Sequence, residues 1–257
     1  MHLGLENKIA IVTGASQGIG KATAGALAEE GARVVLVARG QERLDELAGQ
    51  IRAAGGQAET VSADVSKADD CRRIIDEAVS RFGGIDILVN NAGSSATGAF
   101  EGLDDEIWKA DFDLKLFAAV RLAKLALPHM KQKRAGRIIN VTNIGGKQPG
   151  AGTMPTTVTR AAGLALTKAL SKEYAPHNIL VNTVCIGKVR AGQHESKAAR
   201  AGVDIETFYE RMAADIPLGR VGEAEEAANA IVFLASEAAS FITGTSINID
   251  GGASAVL

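Results

Sequence analysis

The sequence predicts a single-domain, doubly wound α/β fold: one seven-stranded parallel sheet with helices on both faces. Three observations predict it. Seven short β-branched runs alternate with longer segments of helical period. The runs are almost continuously apolar, as strands covered on both sides require. No repeat, low-complexity tract or Pro/Gly-rich linker divides the 257 residues, a length at which one α/β layer structure buries a sizeable core.

In chain order, strands are expected at Lys8–Val12, Arg33–Ala38, Gln57–Val61, Ile85–Asn90, Gly136–Thr142, Ile179–Val184 and Thr245–Ile249. The first runs into Thr13-Gly14-Ala15-Ser16-Gln17-Gly18-Ile19-Gly20, and strong helix formers follow from Lys21 to Glu30. After the third strand, the helix Cys71–Phe82 sets Cys71, Ile74, Ile75, Ala78, Val79 and Phe82 on one stripe, the face of a helix packed on a sheet. Two long helices are expected at about 104–132 and 155–174. The polar stretch Gly187–Pro217 breaks the rhythm between the sixth strand and the last helix, and short helices over the carboxyl ends of the strands, a substrate lid, are expected there.

Composition narrows the function. Lys+Arg (28) nearly balance Asp+Glu (30), so no global field attracts a polyanion, and nucleic acid is not an expected partner. The start, MHLGLENKIAIVTG, lacks a basic region, apolar stretch and small-residue cleavage site, and nowhere do about eighteen apolar residues run uninterrupted. A cytoplasmic location away from the membrane is therefore expected. Cys71 and Cys185 stand far apart, without the spacing of a disulfide framework or a metal site, so both read as buried small hydrophobes and no metal is expected.

The glycine loop carries the first chemistry. Gly14 permits a tight turn, Gly18 lets the backbone approach a pyrophosphate, and Gly20 allows close helix packing. The helix behind them presents free N–H groups and a positive dipole to the anion. Ser16, Gln17 and Ile19 complete the loop, and strand, glycines and helix in this order read as a Rossmann-type dinucleotide site. Nineteen residues past Gly20, where an acidic group would grip the ribose of NAD, stands Arg39. A guanidinium suits a 2′-phosphate, so NADP(H) is the expected cofactor, with NAD the alternative if Arg39 is only a solvated loop charge; Gln17 adds no second cation.

Thr13–Gly20, Asp64-Val65 after the third strand, Asn90-Asn91-Ala92-Gly93 after the fourth and Asn248-Ile249-Asp250-Gly251-Gly252 near the end together resemble the short-chain dehydrogenase/reductases over essentially the whole chain. The resemblance implies that Asp64 bonds the adenine amino group, Val65 flanks it, and Asn90, Ala92 and Gly93 line the adenosine ribose. It places Gly187 and Val189 at the nicotinamide end, where the family's Pro-Gly reads Ile186-Gly187 and its usual threonine reads Ala191. It also implies a homotetramer or homodimer built on the two long helices. The family's reaction uses a Tyr acid/base, a Lys that lowers its pKa and holds the ribose, a Ser that polarises the carbonyl and an Asn that anchors a relay water. By the resemblance these positions hold Thr156, Arg160, Asn143 and Asp113, all four substituted.

The substitutions leave binding better served than catalysis. A threonine hydroxyl is too weak an acid to replace a lysine-assisted phenol, and an arginine stays charged and relays no proton. Thr156 and Asn143 can still hydrogen-bond a carbonyl, and Arg160 can reach ribose hydroxyls, a carboxylate or a phosphate. Another acid would come from the lid, where Lys188, Arg190, His194, Glu195 and Tyr209 could face the pocket; His194 titrates nearest neutrality. Tyr174 lies about five helical turns from Thr156 and is expected only to pack. Asp113 is expected to pair with Arg160 beneath the pocket, or else to act as a base. Lys115 is expected to cap a helix face, and Trp108 and Phe112 to serve core or interface. Three functions stay open: an NADP(H)-dependent oxidoreductase acting on a small carbonyl or hydroxyl compound through a non-standard proton donor; a cofactor-binding pseudoenzyme; and a non-redox lyase, isomerase or dehalogenase using Asp113 or His194 as base.

Overall fold

The computed structural model describes residues 2–257, apart from the side chains of residues 193, 195 and 196; the expectation for Glu195 lies outside the described residues. Seven strands form one sheet: β1 (Ile9–Thr13), β2 (Arg33–Ala38), β3 (Gln57–Ser62), β4 (Ile87–Asn90), β5 (Gly136–Asn143), β6 (Ile179–Ile186) and β7 (Ser246–Ile249). Their order is β3-β2-β1-β4-β5-β6-β7 and every pairing is parallel. The expected strands are all present, with ends shifted by one or two residues. The order reverses between β1 and β4, and ligands of open α/β sheets bind in the crevice at such a point.

Alternation along the strands divides the core. Val12, Leu36, Val89 and Ile139 face the layer of α1 (Gly18–Glu29), α2 (Gln41–Ala53) and α9 (Ala224–Ala235). Ile11, Val35, Leu88, Ile138 and Val181 face the layer of α3 (Ala68–Phe82), α5 (Ala118–Lys133) and α6 (Thr156–Tyr174). In α3 the expected stripe is the buried one: Cys71, Ile74, Ile75 and Ala78 are enclosed and Val79 and Phe82 pack at its edge. Both cysteines are buried and free.

One helix departs from expectation. The segment read as continuous over 104–132 is α4 (Asp105–Phe112), capped by the Asp104 carboxylate on the Ile107 amide, then a π-helical turn over Asp113–Phe117, then α5. A π-turn holds one more residue than an α-turn, so side chains before and after it change face. The segment after β6 folds as two short helices, α7 (Gly192–Arg200) and α8 (Ile205–Ala213), and a bridge between Val189 and Gly222 joins the chain on either side of them. No helix among the described residues is long and apolar enough to cross a membrane.

Candidate active site

The loops after β1 and β4 are laced together at the reversal point. Thr13 Oγ1 accepts from the amides of Asn91 and Ala92 and donates to the Val89 carbonyl, while Asn91 Nδ2 donates to the Thr13 carbonyl at 2.9 Å. Gly14 turns the chain at φ +68°, and a Cβ on Gly20 would stand 2.2 Å from the Gly14 carbonyl oxygen, so the first turn of α1 can press on this loop only without a side chain there. A Cβ on Gly18 would meet nothing closer than 4.0 Å, because that residue faces a cleft of about 790 Å³. The first turn of α1 carries no acidic residue and opens its amides to the same space.

The cleft collects most of the expected cofactor residues: Gly14, Ser16, Gln17, Gly18 and Ile19 from the glycine loop, Arg39 beyond β2, Asp64 and Val65 beyond β3, and Ala92 and Gly93 beyond β4. Gly187 and Val189 close the other end. Gly20 acts from behind through packing. Asn90 does not join them; its amide donates to Asn140 Oδ1 at 2.9 Å, turned under the floor by the pairing of β4 with β5. The sequence reading missed Arg43. It projects from the first turn of α2 into the rim of the cleft and donates to Gln17 Oε1 at 2.8 Å, so Gln17 brings in a second cation rather than leaving Arg39 alone.

At the inner end Asn143, Thr156 and Arg160 line one wall. Asn143 Oδ1 is buried without a partner. Arg160 donates from Nη1 to the Val141 carbonyl at 2.7 Å, its other guanidinium nitrogen lies against Gly93, and its buried Nε has no partner. Burial works against its charge and Asp111 works for it; a guanidinium stays charged at neutral pH. Thr156 Oγ1 donates to the Ala96 carbonyl at 2.7 Å and accepts from the Ala96 amide at 3.0 Å, clamping the short antiparallel ladder of Thr97–Gly98 with Met154–Pro155.

Two expectations fail beside this wall. Asp113 does not pair with Arg160: it faces outward, where it takes Lys109 at 2.7 Å and Arg121 at 2.9 Å. Those bonds, Lys109 first, hold its carboxyl below the usual range, so it is no base for the pocket. Lys115 does not cap an outer face. Its side chain is 1 % exposed, paired with Asp111 and donating to Thr156 Oγ1 at 2.8 Å, while Thr159 donates to the other Asp111 oxygen at 2.6 Å. The π-turn is the cause, since it swings Lys115 rather than Asp113 toward α6. Beneath lies a void of about 20 Å³, touched by Lys115, Asn140, Thr159 and Arg160.

The family model described as enoyl-(acyl carrier protein) reductase matches residues 14–254, nearly the whole chain. The chain belongs to the short-chain dehydrogenase/reductases. It is 35% identical to 3-oxoacyl-[acyl-carrier-protein] reductase of Thermotoga maritima, over 96% of this chain and 98% of that protein. The structure of L-sorbose reductase from Gluconobacter frateurii, complexed with NADPH and L-sorbose, superposes with a TM-score of 0.95 at 35% identity, covering 100% of both chains. A single-substitution variant of actinorhodin polyketide ketoreductase with NADPH superposes with a TM-score of 0.91 at 32% identity, over 99% of this chain and 100% of that one.

Within this short-chain dehydrogenase/reductase frame, the α7–α8 segment brings only some of its candidate acids to the cleft. His194 lines it, with Nδ1 buried and unpartnered and its pKa lowered, mainly by burial. Lys188 lines it too, but its ammonium is held by the Met212 carbonyl at 2.9 Å. Tyr209 is 5 % exposed and packs against Ile216 and Val221, with the Arg190 guanidinium 4.3 Å over its ring. Arg190 in turn forks onto Glu206 and reaches Glu223. Neither residue serves the cleft. Tyr174 stands at the far end of α6 under the Lys131 ammonium, as its spacing from Thr156 required. Trp108 and Phe112 pack on each other. Among the described residues no group of three His, Cys, Asp or Glu side chains is placed to hold a metal ion.

Proposed function

We propose that this protein is an NADP(H)-dependent oxidoreductase that interconverts a small carbonyl compound and its alcohol without a tyrosine proton donor. The observation that carries the reading is the glycine cradle, closed to any side chain at Gly20 and open at Gly18, with Arg39 and Arg43 on the rim of the same cleft. The residues present fit the dinucleotide. The opening amides of α1 would hold the pyrophosphate, Arg39 and Arg43 a 2′-phosphate, and Asp64 and Val65 the adenine. Arg160 would hold the ribose hydroxyls at the inner end, against Gly93. When bound, the reduced nicotinamide supplies the hydride.

The chain's own residues do the rest. Asn143 donates from its amide to the carbonyl oxygen, sharpening the carbon as an electrophile, and Thr156 offers a hydroxyl on the same wall. The α7–α8 segment serves as the lid that excludes water, with His194 on its inner side. The named relatives, two of them reductases of 3-oxoacyl and sugar substrates and one a ketoreductase, share carbonyl reduction, which supports a carbonyl as substrate. A cytoplasmic location and self-association through α5 and α6, where Val120, Leu127, Leu166 and Leu170 line a shallow groove, belong to the same reading.

Calorimetry with NADPH and NADH, followed by turnover against a panel of carbonyl compounds, tests it. Uptake of NADPH with reduction of at least one compound is the expected result; no uptake of either nucleotide by folded protein overturns it. The second reading, a nucleotide-binding protein without turnover, is favoured by one observation: both tyrosines stand away from the cleft. It predicts NADPH uptake with no reduction anywhere in the panel.

A further inference from the structure

We propose that Lys115, acting through the hydroxyl of Thr156, delivers the proton that the substrate oxygen takes up during reduction. This rests on the reductase reading above. Thr156 is the joint: the residue lines the cleft, and its Oγ1 receives the Lys115 ammonium at 2.8 Å. Asp111, one helical turn before Lys115, holds the ammonium, and Thr159 holds Asp111. Four polar side chains from α4, the π-turn and α6 are thus spent in a place where apolar residues would serve stability as well or better. What the arrangement secures is a fixed line of donors ending at the wall that faces the substrate.

A threonine hydroxyl cannot act as the acid alone, but as a bridge it gives one proton while receiving another and carries no net charge. In reduction the carbonyl carbon gains a hydride from the reduced nicotinamide. The carbonyl oxygen forms its new O–H bond with the Thr156 proton, swung over from the Ala96 carbonyl. Thr156 Oγ1 takes a proton from Lys115 Nζ, and neutral Lys115 is later recharged from solvent. Alcohol oxidation runs the same line backwards.

The charges around Lys115 suit this. Burial, the largest influence, and then Arg160 on α6 favour the neutral amine, while Asp111 favours the ammonium, and the balance lies at about 8. The strands β4 and β5 beneath contribute only neutral Asn90, Asn140 and Thr142, and Asp113 is turned away onto Lys109 and Arg121. The rival acid His194 is held toward its neutral form by burial.

Lysine-specific 13Cε labelling, with the Lys115 resonance assigned by its loss in K115M, reads the titration directly in protein free of nucleotide. A midpoint near 8 is expected; a midpoint at 10 or above overturns the proposal. Should K115M fold poorly, the K115M/D111L pair serves for the assignment. In turnover, kcat/KM for reduction should be flat below about pH 8 and fall about tenfold per unit above it. T156V and K115R should lose about 100-fold in kcat with NADPH affinity held within twofold, while T156S keeps turnover within about threefold. Wild-type protein that reduces nothing overturns the reductase reading and the relay with it. Active wild type with equally active T156V, or an inflection near 8 that persists in K115R, overturns the relay alone.

Discussion

Replacing the two members of the buried pair separately and together, as K115M, D111L and the double variant, separates a positioned charge pair from ordinary core packing. In K115M the Asp111 carboxylate keeps Thr159 and the more distant Arg160 charge but loses the ammonium it pairs with. Leaving one member of a buried charge pair without the other costs ~3–5 kcal/mol. In D111L the lysine has an easier exit: titrating at about 8, it sheds its proton at pH 7 for about 1.4 kcal/mol. Losing the bond between Asp111 and Thr159 adds ~1–3 kcal/mol. The single variants should therefore lose about 4 and about 2–4 kcal/mol, and the double variant should lie within ~1 kcal/mol of wild type. The sign with pH follows. The lysine in wild type keeps a proton that D111L has already lost, so the wild-type advantage is largest below pH 8 and declines by about 1.4 kcal/mol above it. Urea unfolding followed by far-UV circular dichroism, at one fixed protein concentration, measures all four corners. Single variants that each lose less than about 1 kcal/mol, with additive effects in the double, would refute the reasoning.

Three further outcomes are expected. G20A, whose Cβ would stand 2.2 Å from the Gly14 carbonyl oxygen, should weaken NADPH binding about 10-fold or more while unrelated carbonyl-end changes do not, as read by nucleotide fluorescence. R39A and R43A should each lower the preference for NADPH over NADH about tenfold, and an unchanged ratio in the double variant would remove both from the 2′-phosphate site. R190A should raise amide exchange across α7 and α8 with little change in global stability, since Arg190 ties Glu206, Glu223 and the Tyr209 ring together. Because Arg190 lowers the Glu206 pKa, that tie holds above the usual carboxylate range and is lost as pH falls through the lowered value, so protection of α8 in wild type should fall in acid.

The sheet was legible because strand burial on two faces writes a simple signal: unbroken apolar runs separated by a helix length. The glycine loop was legible because close packing leaves no other residue type at Gly20. What escaped was decided by contacts between distant segments. Lys115 looks like any solvated lysine on a helix, and nothing within a turn of it names the hydroxyl 41 residues away that receives it. Asp113 and Lys115 are two residues apart, so an error of phase exchanges inside for outside, and a π-turn shows no composition of its own. Arg43 reads as an exposed charge on the first turn of α2 until Gln17, on another loop, is brought against it. Tyr209 fell the other way: a candidate acid by type, it is an anchor under a guanidinium.

The wide turn at Asp113–Phe117 also makes the inner wall separable from the cradle. It works as an inserted residue absorbed without breaking the helix. Shortening the loop of backbone after Lys115 by one residue would rewind the segment by about 100° and carry Asp111 and Lys115 around toward solvent together, while β1, α1 and their glycines stay where they are. One deletion would thus re-address the chemistry of the molecule and leave its grip on nucleotide alone, and in that sense the helix holds a dial whose setting is counted in residues.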